Sequence, residues 1–126
     1  MEAEPRERMA RHILLKTELR KFQSEKMRNL LDYLILRLLK DQPMHGYGIL
    51  SAVRDRYGYY ATSSVVYPLL STFEGKKYVK SRLEVRDGKA RKVYSITSEG
   101  RAILDFEEAF LKHLMNLADP KARERK

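Results

Sequence analysis

Residues 78–96 carry the pattern that most restricts what this chain can fold into. Val79, Ser81, Leu83 and Val85 alternate with Tyr78, Lys80, Arg82 and Glu84. A period of two places one set on each face of a half-exposed strand. Asp87-Gly88 follows, a dipeptide suited to the tight turn of a hairpin, and Val93, Tyr94 and Ile96 supply the return strand. The rest of the chain is read at helical period, so a single β-hairpin is set into a mainly α protein.

The helices can be read outward from that hairpin. Residues 29–41, NLLDYLILRLLKD, place Leu30, Leu34 and Leu38 beside Leu31, Ile35 and Leu39 and form the most apolar helix, the expected centre of the core. Gln42-Pro43 ends it, because a residue before proline is pushed out of the helical region. A short helix from about 46 to 57 carries Tyr47, Ile49, Leu50 and Val53, with Gly58 as a left-handed stop. Tyr59 and Tyr60 connect to Thr62, Ser63 and Ser64, a run of N-cap candidates. The next helix is expected to bury Val65, Val66, Leu69, Leu70 and Phe73, with Pro68 in or near its first turns and Gly75 closing it. After the hairpin, Thr97 and Ser98 are N-cap candidates for a last helix reaching about Ala118.

That last helix bears an apolar stripe of Ile103, Phe106, Phe110, Leu114 and Leu117. At the other end, residues 6–27 form a highly charged helix whose narrow stripe includes Met9, Ile13, Leu15, Leu19 and Phe22. A narrow stripe suits docking on a partner rather than in a deep core. The order of helices, hairpin and helix is that of a winged helix-turn-helix domain with added N- and C-terminal helices, which the resemblance described below implies are dimerisation helices. The expected division is an amphipathic extension at 1–28, the winged domain at 29–97, the dimerisation helix at 98–118 and a charged tail at 119–126.

Charge points to the partner. The 126 residues hold 26 basic and 17 acidic side chains, a formal charge of +9, and nucleic acid is the usual partner of such an excess. Residues 62–95 hold eight basic and three acidic side chains, so +5 of the total falls on the third core helix and the hairpin. Lys76, Lys77, Arg82, Lys89, Arg91 and Lys92 are candidate contacts to double-stranded DNA, with Thr62, Ser63, Ser64, Tyr67 and Ser71 on the helix itself. The plainer readings are a solvated hairpin and simple helix capping. The helix has no Arg, Asn or Gln, so the commonest bidentate base contacts are missing, and backbone and shape readout are expected to dominate.

Other chemistry is thinly supported. There is no cysteine, which removes disulfides, thiolate metal sites and cysteine nucleophiles. His12, His45 and His113 lie on different elements and form no metal set. His45 at a helix start reads as capping or packing. No catalytic set and no glycine-rich phosphate loop is visible, and no cofactor or enzymatic activity is expected. No apolar run has the length of a membrane span, the N-terminus lacks a secretory pattern, and a cytoplasmic location is expected. Tyr33, Tyr47, Tyr59, Tyr60 and Tyr67 read as core and interface residues, with the lining of an effector cavity as the alternative.

Three blocks carry a resemblance. LLDYLILRLLKDQPMHGYGIL (30–50), Tyr67-Pro68, and RKVYSITSEGRAIL (91–104) resemble the PadR family of transcriptional regulators at the family's own spacing. The resemblance spans about residues 29–110 and implies a winged-helix homodimer that represses transcription, held largely by its C-terminal helix, which makes Leu15, Leu19, Phe22, Ile103, Phe106, Phe110, Leu114 and Leu117 the expected dimer contacts. In some members a small phenolic or drug-like effector releases DNA, so such a ligand is a candidate partner. Two departures stand out. Ser63-Ser64-Val65-Val66 replaces a frequent Pro-Gly-Thr-Leu, and Lys77 stands where glycine is common before the wing. With no tryptophan, the tryptophan-lined pore of some short members cannot be built. The competing reading is a winged-helix module that binds protein or RNA without operator recognition.

Overall fold

The computed structural model describes residues 4–121. The chain divides into two units between Leu31 and Asp32. The first is occupied by α1 (Pro5–Asn29), a 25-residue helix with proline in its first turn. Proline fits there because that N–H has no partner within the helix. Met9, Ile13, Leu15, Leu19 and Phe22 are all exposed along α1.

The second unit contains α2 (Leu31–Asp41), β1 (Met44–His45), α3 (Gly46–Tyr57), α4 (Ser63–Gly75), β2 (Val79–Arg86), β3 (Lys89–Ile96) and α5 (Ser98–Ala118). Leu34, Ile35, Leu36, Leu38 and Leu39 of α2 are buried, as are Ile49 and Val53 of α3, Val66, Leu70 and Phe73 of α4, Val79, Val93 and Tyr94 of the sheet, and Leu104 of α5. Each such side chain taken from water contributes about 1.5–3 kcal/mol, so these residues hold the helices to the base of the sheet. Leu36 is fully buried although the leading-face pattern did not include it. Val65, expected inside, lies on the exposed side of α4.

The hairpin has the expected strands and one addition. Asp87 (φ 54°) and Gly88 (φ 75°) form its turn, both in the left-handed region that the tight turn demands. Met44 and His45 pair with Tyr94 and Val93, which makes a three-stranded sheet in the order β1-β3-β2. A two-residue strand is too short to leave a period in the sequence.

The end of α4 differs from expectation. Gly75 remains helical, and the left-handed position falls on Lys77 at φ 64°. The Lys77 amide donates to the Glu74 carbonyl at 3.0 Å and the Tyr78 amide to the Phe73 carbonyl at 2.9 Å. The Phe73 and Tyr78 rings lie 6.2 Å apart. This is a Schellman termination with its usual hydrophobic contact, but with lysine where glycine is favoured. A left-handed L-residue costs about 1–2 kcal/mol, and the Thr97 hydroxyl helps hold the turn by reaching the Lys77 carbonyl at 2.6 Å. Pro68 falls in the second turn of α4, among the first turns as expected, and there the Ser64 carbonyl loses its i+4 amide donor.

α5 begins where it was expected. The Gly100 amide donates to Thr97 Oγ1 at 3.0 Å, so Thr97 is the N-cap. Gly100 is buried against the backbone carbonyl of Tyr78, with no room for a Cβ.

Candidate nucleic-acid interface

The site is built on α4 and the wing. On α4 the side chains of Thr62, Ser63, Ser64, Tyr67 and Ser71 are exposed. Thr62 occupies the N-cap position, but its hydroxyl bonds that of Ser64 at 2.9 Å and does not cap the backbone. None of the three hydroxyls therefore caps the helix. No protein acceptor meets the Ser63 and Ser64 amides among the described residues. They are left at the positive end of the helix dipole, where an anion is favoured.

Tyr67 lies over the start of α3. A Cβ on Gly46 would come within 2.5 Å of its ring, so glycine is what lets the ring settle there. The ring stays 42% exposed. With His45, Gly46, Tyr47, Ala90, Arg91 and Lys92 it lines a cleft of about 360 Å³ between α4 and the wing. His45 is the N-cap residue of α3 by backbone conformation, though its ring makes no capping bond. Of the five tyrosines considered for an effector cavity, this cleft brings Tyr47 and Tyr67 together. Tyr33 is placed elsewhere, its hydroxyl 3.5 Å from Glu108.

Strand register sorts the wing cations. Arg82 pairs with Val93, Glu84 with Arg91, and Arg86 with Lys89. Residues directly opposite share a face, so Arg82, Arg86, Lys89 and Arg91 stand together around one carboxylate. Arg82 lies 4.0 Å from Glu84, and neither Arg86, Lys89 nor Arg91 has an acidic partner within 4.0 Å among the described residues. Arg86 is one of the eight basic residues of this segment but not one of the candidate contacts; its parity with Arg82 on the same strand is the signal that finds it.

Lys92 lies on the other face and is engaged. Its Nζ meets Glu74 of α4 at 2.7 Å and lies 5.5 Å from the Tyr94 ring centre. Glu74 also accepts from the Ser81 hydroxyl at 3.0 Å. The hydrogen bond from Lys92 holds the Glu74 carboxyl below the usual glutamate range, and the Lys92 ammonium is raised in return. Lys92 thus fastens the wing to α4. Lys76 and Lys77 are both exposed at the junction between α4 and β2, with Lys76 Nζ 5.9 Å from the Tyr78 ring centre.

The sequence-derived dimer residues are also exposed. Phe106, Phe110, Leu114 and Leu117 of α5 lie open at a spacing of three and four, while Ile103 is half-buried. On α1, Leu15, Leu19 and Phe22 are exposed. Among the described residues there is no group of three or more potential metal ligands, and no helix is long and apolar enough to cross a membrane.

Three core helices followed by a hairpin that projects beyond them, with a last helix anchored at the hairpin's base, define a winged helix-turn-helix protein. Residues 35–105, more than half of the chain, match the family described as Transcriptional regulator PadR-like. The chain belongs to that family. It is 35% identical over 80 residues to a transcriptional regulator of Mycobacterium tuberculosis, spanning 64% of this chain and 74% of that protein. It is similar to the crystal structure of a PadR family transcriptional regulator from Eggerthella lenta, with a TM-score of 0.70 and 25% identity over 94% of this chain and 99% of the other. It is also similar to Bacillus subtilis PadR in complex with operator DNA, with a TM-score of 0.57 and 29% identity over 60% of this chain and 45% of that one.

Proposed function

We propose that this chain is a cytoplasmic repressor that binds a palindromic operator as a homodimer, through α4 and the basic wing. The observation that carries the reading is the cationic wing face. Arg82, Arg86, Lys89 and Arg91 stand together on one face of the wing with a single carboxylate among them, and α4 presents a separate exposed row of hydroxyls. Side chains so placed suit phosphates, and each phosphate neutralised releases counterions. The similarity to Bacillus subtilis PadR, whose structure contains operator DNA, supports the same partner.

The α4 contacts in this reading are Thr62, Ser63, Ser64, Tyr67 and Ser71, with Lys76 and Lys77 at its end. They are poor in base-reading groups, so the wing and the spacing of two half-sites carry much of the specificity. The exposed stripe of α5, with Leu15, Leu19 and Phe22 of α1, supplies the dimer contacts. Large apolar side chains in one exposed row fit an interface between copies.

Selection of bound fragments from the source genome tests the reading. Fragments bearing paired half-sites should be retained over bulk competitor DNA, with affinity falling steeply as salt rises. If no fragment outcompetes bulk DNA, the operator reading is wrong and the interaction-module reading takes its place.

A further inference from the structure

The wing has a second face, and its chemistry is different. Leu83 and Val85 are 75% and 72% exposed. They share a face with Val79, as their alternation requires, but Val79 alone of the three is buried, because the hairpin runs past the core that would cover the others. Leu83 pairs with Lys92 and Val85 with Ala90. The one cation of this group, Lys92, is already bonded to Glu74. The wing therefore carries an apolar strip of Leu83, Val85 and Ala90 on one side and a cationic row on the other.

Ala90 connects the strip to the recognition surface, since it lines the same cleft as Tyr67 and Tyr47. The apolar side chains thus continue the face that α4 presents, while the free cations lie across the thickness of one strand. We propose that Leu83 and Val85 are specificity-determining DNA contacts that pack on deoxyribose and base edges inside a groove, while the opposite face holds phosphates. The proposal rests on the DNA-binding reading above. Charge complementarity selects the occupant: the cationic row lies on the opposite face of the same two strands, Arg91 borders the cleft that Ala90 also lines, and a duplex offers apolar groove walls bordered by two rows of phosphates. Apolar side chains from minor-groove binders make contacts of this kind.

The test uses the full-length protein carrying Leu83→Thr and Val85→Thr, which puts a β-branched strand former at both exposed positions. Fluorescence anisotropy would compare a duplex selected from the genomic fragments with a random duplex of equal length, across a salt series. Affinity for the selected duplex should fall about tenfold while affinity for the random duplex holds within about twofold, because contacts inside the groove carry the discrimination. The slope of log K against log salt should not change, since no phosphate contact is lost. The Lys89→Ala, Arg91→Ala variant should instead flatten that slope by up to about 2.

Unchanged affinity for the selected duplex in the threonine variant overturns the proposal. So does intact DNA binding accompanied by a change of molecular mass in light scattering, which would assign the strip to a contact between protein copies. Failure of the underlying reading shows separately, as wild-type protein that prefers no duplex over competitor, and the proposal then falls with it.

Discussion

Replacing Gly100 by alanine tests how α5 is anchored to the wing base. The added Cβ would run into the Tyr78 carbonyl oxygen and lie 2.8 Å from Ile96 Cγ1 and 3.0 Å from the Tyr78 carbonyl carbon. Ordinary carbon contacts begin near about 3.5 Å. The obstacle is backbone and cannot swing aside, because the same carbonyl accepts from the Thr97 amide at 3.0 Å. Either α5 or the Lys77–Tyr78 turn must move. Overpacking costs about 1–3 kcal/mol, and loss of the Thr97 cap adds about 1 kcal/mol. Alanine's better helix propensity returns at most about 1 kcal/mol. The net destabilisation is about 1–3 kcal/mol, or roughly 5–15 °C in Tm for a domain of this size.

Gly75→Ala is the matched control. Gly75 is helical at the end of α4, and its Cβ would meet nothing within 4 Å. The same substitution there should raise Tm by a few degrees, reflecting about 0.5 kcal/mol of propensity. Thermal and urea denaturation of the two variants read the contrast directly. Shifts of the same sign, or a Gly100→Ala protein melting within about 3 °C of wild type, would refute the argument.

Changing Phe106 and Phe110 together to lysine should yield monomers by light scattering and lower operator affinity, since both rings are exposed and lysine leaves the fold intact; a surviving dimer means that α5 is not the main interface. Gly46→Ala should cost about 1–2 kcal/mol by displacing the Tyr67 ring, and that cost should vanish in a Tyr67→Ala background. Equal costs in both backgrounds, within about 0.5 kcal/mol, would separate the two residues. Glu107 is pushed up by burial and by Asp32. A raised carboxyl stabilises the fold below its unfolded pKa and loses that contribution as pH rises through the folded pKa. Glu107→Gln should therefore be more stable than wild type at neutral pH, with the gain shrinking as pH falls through the usual glutamate range; a gain independent of pH counts against the buried charge.

Elements with a strong period were legible in the sequence. The buried face of α2, the Asp87-Gly88 turn, the Gly58 stop, the Thr97 cap and the stripe of α5 all depend on local backbone chemistry or on repeats several turns long. Features that depend on distant partners were not. β1 is two residues held by β3, and the αL position after α4 fell on Lys77 because Thr97, far along the chain, reaches its carbonyl.

The hairpin on which the sequence argument turned shows the same division. Alternation by itself determined which wing side chains share a face, because successive residues of a strand must point opposite ways. It did not determine what covers each face. The core ends near Val79 and Tyr94, so Leu83 and Val85 project beyond it. Lys92, one basic residue among eight in the sequence count, is taken by Glu74 because α4 happens to pass beside it. Burial and ion pairing depend on what lies opposite, and only the tertiary structure sets that.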